Sequence, residues 1–213
     1  MPRHIILLGA TGPSGLAFAE TALASGHQLT IYARNTSKLP SSIQSHAKVK
    51  TIKGEFSDSD KVKEALSSSA TILVSFLGPS IPLKDKGTPV RNFYSKPSSH
   101  LSSISKSPGM QRSKGPLWLC CVSLIRIFFK AAWDEVRGIG AATSSLDVKE
   151  IPWTVFGVPL LTNGEAKATK ARFVGKGAGL VLGRKSLAVW LLQEIEEGKW
   201  IGLCPAISEE WWI

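Results

Sequence analysis

The chain is poor in the residues that staple small secreted folds or build metal centres. Its 213 residues include three cysteines, Cys120, Cys121 and Cys204, two of them adjacent and poorly placed to bridge each other. That count and spacing exclude a disulfide framework and a cysteine zinc site, and make a reducing, cytoplasmic compartment the default expectation. The four histidines, His4, His27, His46 and His100, show no metal-ligand spacing, so no metal is expected. The strongly apolar run from Leu117 to Phe129, broken by Arg126, is shorter than the roughly 20 residues a transmembrane helix needs. The first apolar run begins so close to Met1 that no signal or transit peptide is expected. Carboxylates are also scarce: 16 acidic residues stand against 26 basic ones, a net charge of +10. A nucleic-acid or membrane surface would explain such a balance. Yet the lysines and arginines are dispersed, with no basic helix stripe and no RNA-binding signature, so no nucleic-acid partner is expected.

What is present is a glycine turn in a telling place. Ile5-Ile6-Leu7-Leu8 reads as a strand, Gly9-Ala10-Thr11-Gly12-Pro13-Ser14-Gly15 follows, and Leu16, Phe18, Ala19, Ala22 and Leu23 then recur at helical spacing up to Ser25 and Gly26. Strand, glycine turn and helix in that order open a dinucleotide-binding βαβ unit. Gly9 permits the tight turn, Gly12 lets backbone approach a pyrophosphate, and Gly15 lets helix and strand pack closely. The spacing is Gly-x-x-Gly-x-x-Gly, a variant of the usual pattern. Thr11, Pro13 and Ser14 complete the expected phosphate cradle at the helix N-terminus.

Gln28 to Ala33 reads as a second strand. Where NAD-binding proteins place an Asp or Glu for the ribose 2′-hydroxyl, this chain has Arg34, with Lys38 four residues on. No carboxylate repels a 2′-phosphate there, and a guanidinium is available to pair with it. NADP(H) is therefore expected over NAD(H), the plain alternative being that both cations are ordinary solvated charges.

Residues 4–40, HIILLGATGPSGLAFAETALASGHQLTIYARNTSKLP, are similar to the opening of atypical short-chain dehydrogenase/reductases. They resemble the biliverdin reductase B-like and NmrA-like NAD(P)-binding proteins, including fungal oxidoreductases of the averufin oxidase type. The resemblance continues from Val49 to Pro79 and resumes from Ala131 to Ser208, while about 90–116 does not match. It implies an α/β fold with one Rossmann-type, doubly wound parallel sheet across residues 1–213.

Val49 to Ile52 is the expected third strand, with Glu55 after it where similar families carry an Asp near the adenine. A helix is expected from Ser57 to Ser69, capped by Ser57 or Asp58, with Val62, Ala65 and Leu66 inward. Thr71 to Leu77 reads as a fourth strand, apolar on both sides. Leu77, Gly78 and Pro79 end it and are expected over the cofactor, an ordinary turn being the alternative. Residues 80–116 are polar, with eight serines between Ser95 and Ser113. They read as a mobile lid, a deletion of the fifth strand or a segment from a wrong gene model; the last two are favoured, because both neighbours resemble the family. Leu117 to Phe129 reads as a buried helix or a hydrophobic surface, or its part Leu117 to Ile125 as the fifth strand itself.

The resemblance places Tyr-x-x-x-Lys in the helix that runs from Ala131 to near Ser145. Here Trp133 holds the aromatic position, and an indole is no proton donor at neutral pH. Tyr32 and Tyr94 are the only tyrosines, and neither has a lysine four residues later. The catalytic acid is therefore unassigned. Trp153 to Val158 reads as a strand, and Pro159, Leu160 and Leu161 in the loop beyond it are expected to line the substrate. A short strand at Ala178 to Leu182, a helix from Arg184 to Glu197 with Leu187, Trp190, Leu191 and Ile195 inward, and a last strand at Trp200 to Gly202 complete the reading. Trp211 and Trp212 read as a tail that packs on a partner or folds back. Two functions stand: an NADPH-dependent oxidoreductase acting on a small, aromatic or quinone-like carbonyl acceptor, with fungal secondary metabolism implied by the resemblance alone, or an NmrA-like regulator that binds NADP(H) without turning it over. A defective product lacking a strand is a third possibility. Oligomeric state is not legible.

Overall fold

A computed structural model describes residues 1–78, 130–173 and 179–210. The chain divides into two compact units. The first comprises Met1–Leu77, Leu161–Lys167 and Gly183–Glu196, and the remaining described residues form the second. The expectations for Pro79, for 80–116, for the apolar run 117–129 and for the Trp211-Trp212 tail lie outside the described residues.

The first unit carries four strands: β1 (His4–Leu8), β2 (Gln28–Ala33), β3 (Val49–Lys53) and β4 (Ile72–Ser75). They form one sheet in the order β3-β2-β1-β4, and every pairing is parallel. Leu7 stands opposite Ile31 on one side and Val74 on the other. The central position of β1 explains its composition: Ile5, Ile6, Leu7 and Leu8 are all buried, as a strand covered on both faces must be. The first helix, α1 (Pro13–Ala24), buries Gly15, Phe18, Ala19 and Ala22, which is the i, i+3, i+4, i+7 stripe of an amphipathic helix. Phe18 is wholly buried and meets Phe76 with ring centroids 5.6 Å apart; burial of such a side chain contributes about 1.5–3 kcal/mol. The helix stops at Ser25, and Gly26 turns the chain with φ +83°, a left-handed conformation suited to glycine.

A one-turn helix, α2 (Ser41–Gln44), precedes β3, and α3 (Ser59–Leu66) follows it. Asp58 caps α3 by accepting the Lys61 N–H at 3.1 Å. Leu66, expected inward, is exposed, because the helix ends there, with Ser67 as its C-cap. Leu73 on β4 is 47% exposed, so this strand is not apolar-buried on both faces as its composition suggests. Two longer helices follow: α4 (Lys130–Ser144) in the second unit and α5 (Arg184–Glu197), which returns to the first. Leu187, Trp190 and Leu191 on α5 are buried as expected, together with Leu192, while Ile195 is half-buried. Near its end Glu196 accepts from Arg3 Nε at 3.3 Å and from the N-terminal ammonium at 3.4 Å.

The second unit departs from expectation. Trp153 to Val158 forms no strand; only Gly157 makes a bridge, to Ala206. The reason is visible in the backbone. Val155 donates to Leu203, Gly157 to Pro205 and Ile207 to Gly157, but Pro205 has no N–H to donate, so the ladder loses a rung. The strand β5 (Leu160–Thr162) lies instead in the stretch read as loop, and β7 (Val181–Gly183) falls later than the strand expected from Ala178. Trp200 to Gly202 is a turn, with Gly202 at φ +74° and its N–H donated to Trp153. The last strand among the described residues is β8 (Ala206–Glu209), antiparallel to β6 (Thr169–Arg172).

His27, just after the Gly26 turn, makes the first unit sensitive to pH. The residue is 6% exposed, and its Nδ1 accepts the Arg3 N–H at 3.1 Å. Burial lowers its pKa, with Glu196 opposing the shift. On acidification the unfolded chain therefore takes up this proton first, and the associated stability, full above the ordinary value of 6.5, is lost as pH falls below it. The thermal midpoint should drop between pH 7.5 and 5.5, and His27→Asn, which keeps an acceptor but cannot ionise, should flatten that part of the profile in a calorimetric series.

Candidate functional site

The C-terminal edge of the four-stranded sheet carries the glycine turn from Gly9 to Gly15, together with Arg34, Lys38, Glu55 and Leu77. After Leu8 the chain turns at Gly9, which has φ +76°, and Gly12 N–H closes the turn on the Gly9 carbonyl at 3.1 Å. The three glycines stand there for three different reasons. A Cβ on Gly9 would lie 2.9 Å from the Phe76 carbonyl carbon, besides the left-handed φ. A Cβ on Gly15 would lie 2.8 Å from the Ala10 Cα and closer still to the Gly9 carbonyl, so α1 packs directly on the end of β1. Gly12 has neither constraint: its φ of −86° and ψ of 159° suit any residue, and a Cβ would meet only the Gly9 oxygen, at 3.5 Å. Nothing in the first unit's packing requires Gly12 to be bare.

Gly12 is also the N-cap of α1, and it supplies no capping side chain. Pro13 opens the helix without an N–H, in the position that proline favours. No acidic residue sits in the first turn. The N–H groups of Ser14 and Gly15 precede the first intrahelical bond, which Leu16 makes to Gly12 at 2.9 Å. Thr11 and Ser14 flank them, half-buried. This end of α1 is therefore a set of uncapped donors carrying the positive pole of the helix.

Beside it, β2 ends at Ala33, and Arg34 is exposed. Asn35 then caps a 3₁₀ turn, Thr36–Lys38, its side chain accepting from Ser37 N–H at 3.1 Å. Among the described residues neither Arg34 nor Lys38 takes part in a hydrogen bond or ion pair. Lys53, opposite Ala33 in the register, is a third exposed cation at this edge, which the sequence reading did not single out.

Glu55 enters in an unexpected way. Its side chain is exposed, and the part held in place is its carbonyl, which accepts the Tyr32 hydroxyl at 2.7 Å. Tyr32 is buried, packs on Phe56 with centroids 5.6 Å apart, and reaches so close to Gly54 that a Cβ there would lie 2.5 Å from its oxygen. Burial raises its pKa, and the Asp58 carboxylate adds to the shift, so the phenol stays protonated as a donor. The sequence signal for this contact was a tyrosine in β2 followed by a glycine directly after β3.

At the end of β4, Leu77 is half-buried and donates its N–H to Ser75 Oγ at 3.3 Å. Gly78, in the second unit, is exposed, and a Cβ there would meet nothing within 4 Å. Of the three residues expected at the substrate, Pro159 and Leu161 are half-buried and Leu160 is 70% exposed. Beyond them Asn163 accepts from Arg184 at 2.8 Å, and Glu165 pairs with Lys185 at 2.8 Å. The Cys204 thiol is pushed up by burial alone. Among the described residues no group of His, Cys, Asp or Glu is arranged to hold a metal, and no helix is long and apolar enough to cross a membrane. Tyr94 and the Trp133 side chain lie outside the described residues.

The pattern of the NAD(P)H-binding family matches residues 9–113. The bounds of this match extend across 90–113, the stretch in which the sequence reading found no resemblance. No curated protein matches the chain. Among solved structures, a short-chain dehydrogenase/reductase from Veillonella parvula is similar with a TM-score of 0.74 at 16% identity, covering 98% of this chain and 95% of that one. The anaerobillin reductase ChuY from Escherichia coli O157:H7 is similar with a TM-score of 0.71 at 15% identity, covering 99% and 98%. A Rossmann-fold NAD(P)-binding family protein from Shigella flexneri gives a TM-score of 0.62 at 14% identity, covering 98% and 94%. The parallel β3-β2-β1-β4 sheet, the glycine turn and these similarities give this chain a Rossmann-type α/β fold that carries the pattern of the NAD(P)H-binding family over residues 9–113.

Proposed function

We propose that the protein is an NADP(H)-dependent oxidoreductase. The observation that carries this reading is the uncapped N-terminus of α1 over a Gly12 that packing leaves free to be any residue. The N–H groups of Ser14 and Gly15 hold the pyrophosphate there, with Gly9 and Gly15 shaping the turn and Thr11 and Pro13 completing it. Arg34, free of other partners, pairs with the 2′-phosphate, and Lys38 adds a second positive charge. No carboxylate stands at the end of β2 to select NAD(H). Leu77, just after β4, stands on the nicotinamide side. The bound dinucleotide supplies the hydride; the chain binds, orients and keeps water out.

The acceptor is a small, planar carbonyl or quinone-like molecule. The apolar stretch Pro159, Leu160 and Leu161 supports that choice. Tyr32 is no candidate proton donor, since its hydroxyl is spent on the Glu55 carbonyl. A second reading is favoured by the missing Tyr-x-x-x-Lys pair: a regulator that senses NADP(H) by binding alone, as NmrA-like proteins do. A screen of quinone, flavin and aromatic-carbonyl acceptors separates the two, because a sensor oxidises NADPH with none of them.

The cofactor reading is tested by titration. Arg34→Asp should weaken NADPH by about ten-fold or more, the loss of one charge-assisted pair, and leave NADH nearly unchanged; equal losses for both would remove the 2′-phosphate clamp. Gly12→Ser should behave against intuition. Serine is a better N-cap than glycine, so the thermal midpoint should hold or rise, while its hydroxyl occupies one of the donors and adds bulk, and cofactor affinity falls. Gly15→Ala, by contrast, should destabilise the fold by about 1–3 kcal/mol, as overpacking does. A Gly12→Ser protein that binds NADPH like the parent would sink the assignment of the turn.

A further inference from the structure

We infer that Tyr32 is a positioning residue for the adenosine end of the dinucleotide, acting through the turn formed by Gly54, Glu55 and Phe56. The inference rests on the cofactor reading above and adds a residue to it. In the sheet order β3-β2-β1-β4 the glycine turn lies at the end of β1 and Arg34 at the end of β2. A dinucleotide with its pyrophosphate on the first and its ribose at the second runs toward the end of β3. The first backbone it meets there is the 54–56 turn.

The turn is closed locally by Asp58, whose N–H donates to the Glu55 carbonyl at 2.9 Å, but its link to the sheet is slight. Gly54 donates its N–H to the Ala33 carbonyl at a long 3.3 Å, and Glu55 is exposed. Tyr32 ties the turn to β2. Its ring is buried in β2 against Phe56, and its hydroxyl reaches across from β2 to the Glu55 carbonyl at 2.7 Å. The absence of a side chain at Gly54 is what lets the hydroxyl pass, since a Cβ there would lie 2.5 Å from the tyrosine oxygen and 3.0 Å from Lys61 Cβ. With its carbonyl accepting from both Asp58 N–H and the Tyr32 hydroxyl, the Glu55 peptide is tied to β2 as well as to its own turn, and the aromatic ring of Phe56 is held with it. The hydroxyl thus sets the wall on which the adenosine end rests, without itself touching the ligand.

The test is Tyr32→Phe, which keeps the ring on Phe56 and removes only the oxygen. Adenosine 2′,5′-bisphosphate and NADPH are titrated calorimetrically against the full chain and the variant, at a temperature where circular dichroism shows both folded. Both ligands should weaken by the same factor of about five, the cost of ordering one residue of the loosened turn on binding. A variant that melts lower without ligand but binds both probes like the parent would show a purely structural tyrosine and overturn the inference, leaving the cofactor reading intact. A parent protein that binds neither probe would overturn both. A loss for NADPH with none for the bisphosphate would also overturn it, because the effect would then lie at the nicotinamide end.

Discussion

Everything at the candidate site depends on how closely α1 sits on the end of β1. The contact is backbone on backbone: the Gly15 Cα faces the Gly9 carbonyl and the Ala10 Cα with no space for a methyl group. Gly9, at φ +76° and pressed against the Phe76 carbonyl, turns the chain sharply enough to make this possible. Because β1 is the buried inner strand, between β2 and β4, its end defines the middle of the sheet edge. A helix seated there directs its uncapped donors along that edge, with Arg34 on one side and Leu77 on the other. Loosening the Gly9–Gly15 contact would move the donors and leave the flanking residues addressing nothing in common.

The first unit holds its elements with apolar burial and uses its ion pairs sparingly. Phe18, Ile5, Leu7, Leu29, Ile31 and Leu187 are all essentially inaccessible to solvent. The pairs of Lys61 with Glu64, Lys185 with Glu165 and Arg3 with Glu196 are all solvent-exposed. Exposed pairs of this kind contribute little to stability. Charge at the sheet edge is thus available for ligands without being committed to the fold, and a substitution at Arg34 tests recognition with little structural side effect.

How much of this was legible in the sequence depended on whether an element carried its own boundaries. The second strand was readable to the residue, because Gly26 and Arg34 bracket an apolar run whose partners on both sides are regular strands. The helix Arg184–Glu197 was equally plain from its periodicity. Trp153 to Val158 has strand composition as good as β2, yet the ladder fails because the opposing segment contains Pro205, a fact no local pattern contains. Trp200 to Gly202 likewise looks extended, but Gly198 and Gly202 both adopt positive φ and make a turn of it. At the site, the glycine turn was legible because each glycine answers a local demand. The hold of Tyr32 on Glu55 was not, because it joins residues 23 apart through a backbone carbonyl that leaves no mark on side-chain identity.

The bare N-terminus of α1 is the strongest physical argument for a ligand. Capping a helix with Ser, Asp or Asn in place of alanine contributes about 0.5–2 kcal/mol, and glycine recovers most but not all of it. This chain caps elsewhere when it has the opportunity: Asp58 does so for α3, and Asn35 for the 3₁₀ turn beside Arg34. At α1 the backbone of residue 12 is already in the extended conformation a capping serine uses, and no neighbour forbids a side chain. A capping oxygen there would accept from the N–H of Ser14 or Gly15 and so withdraw that donor from anything outside the protein. Glycine leaves both open at a small loss of stability. That is the arrangement expected of a helix end that serves an anion supplied from solution, and it supports a phosphate more directly than the glycine spacing alone.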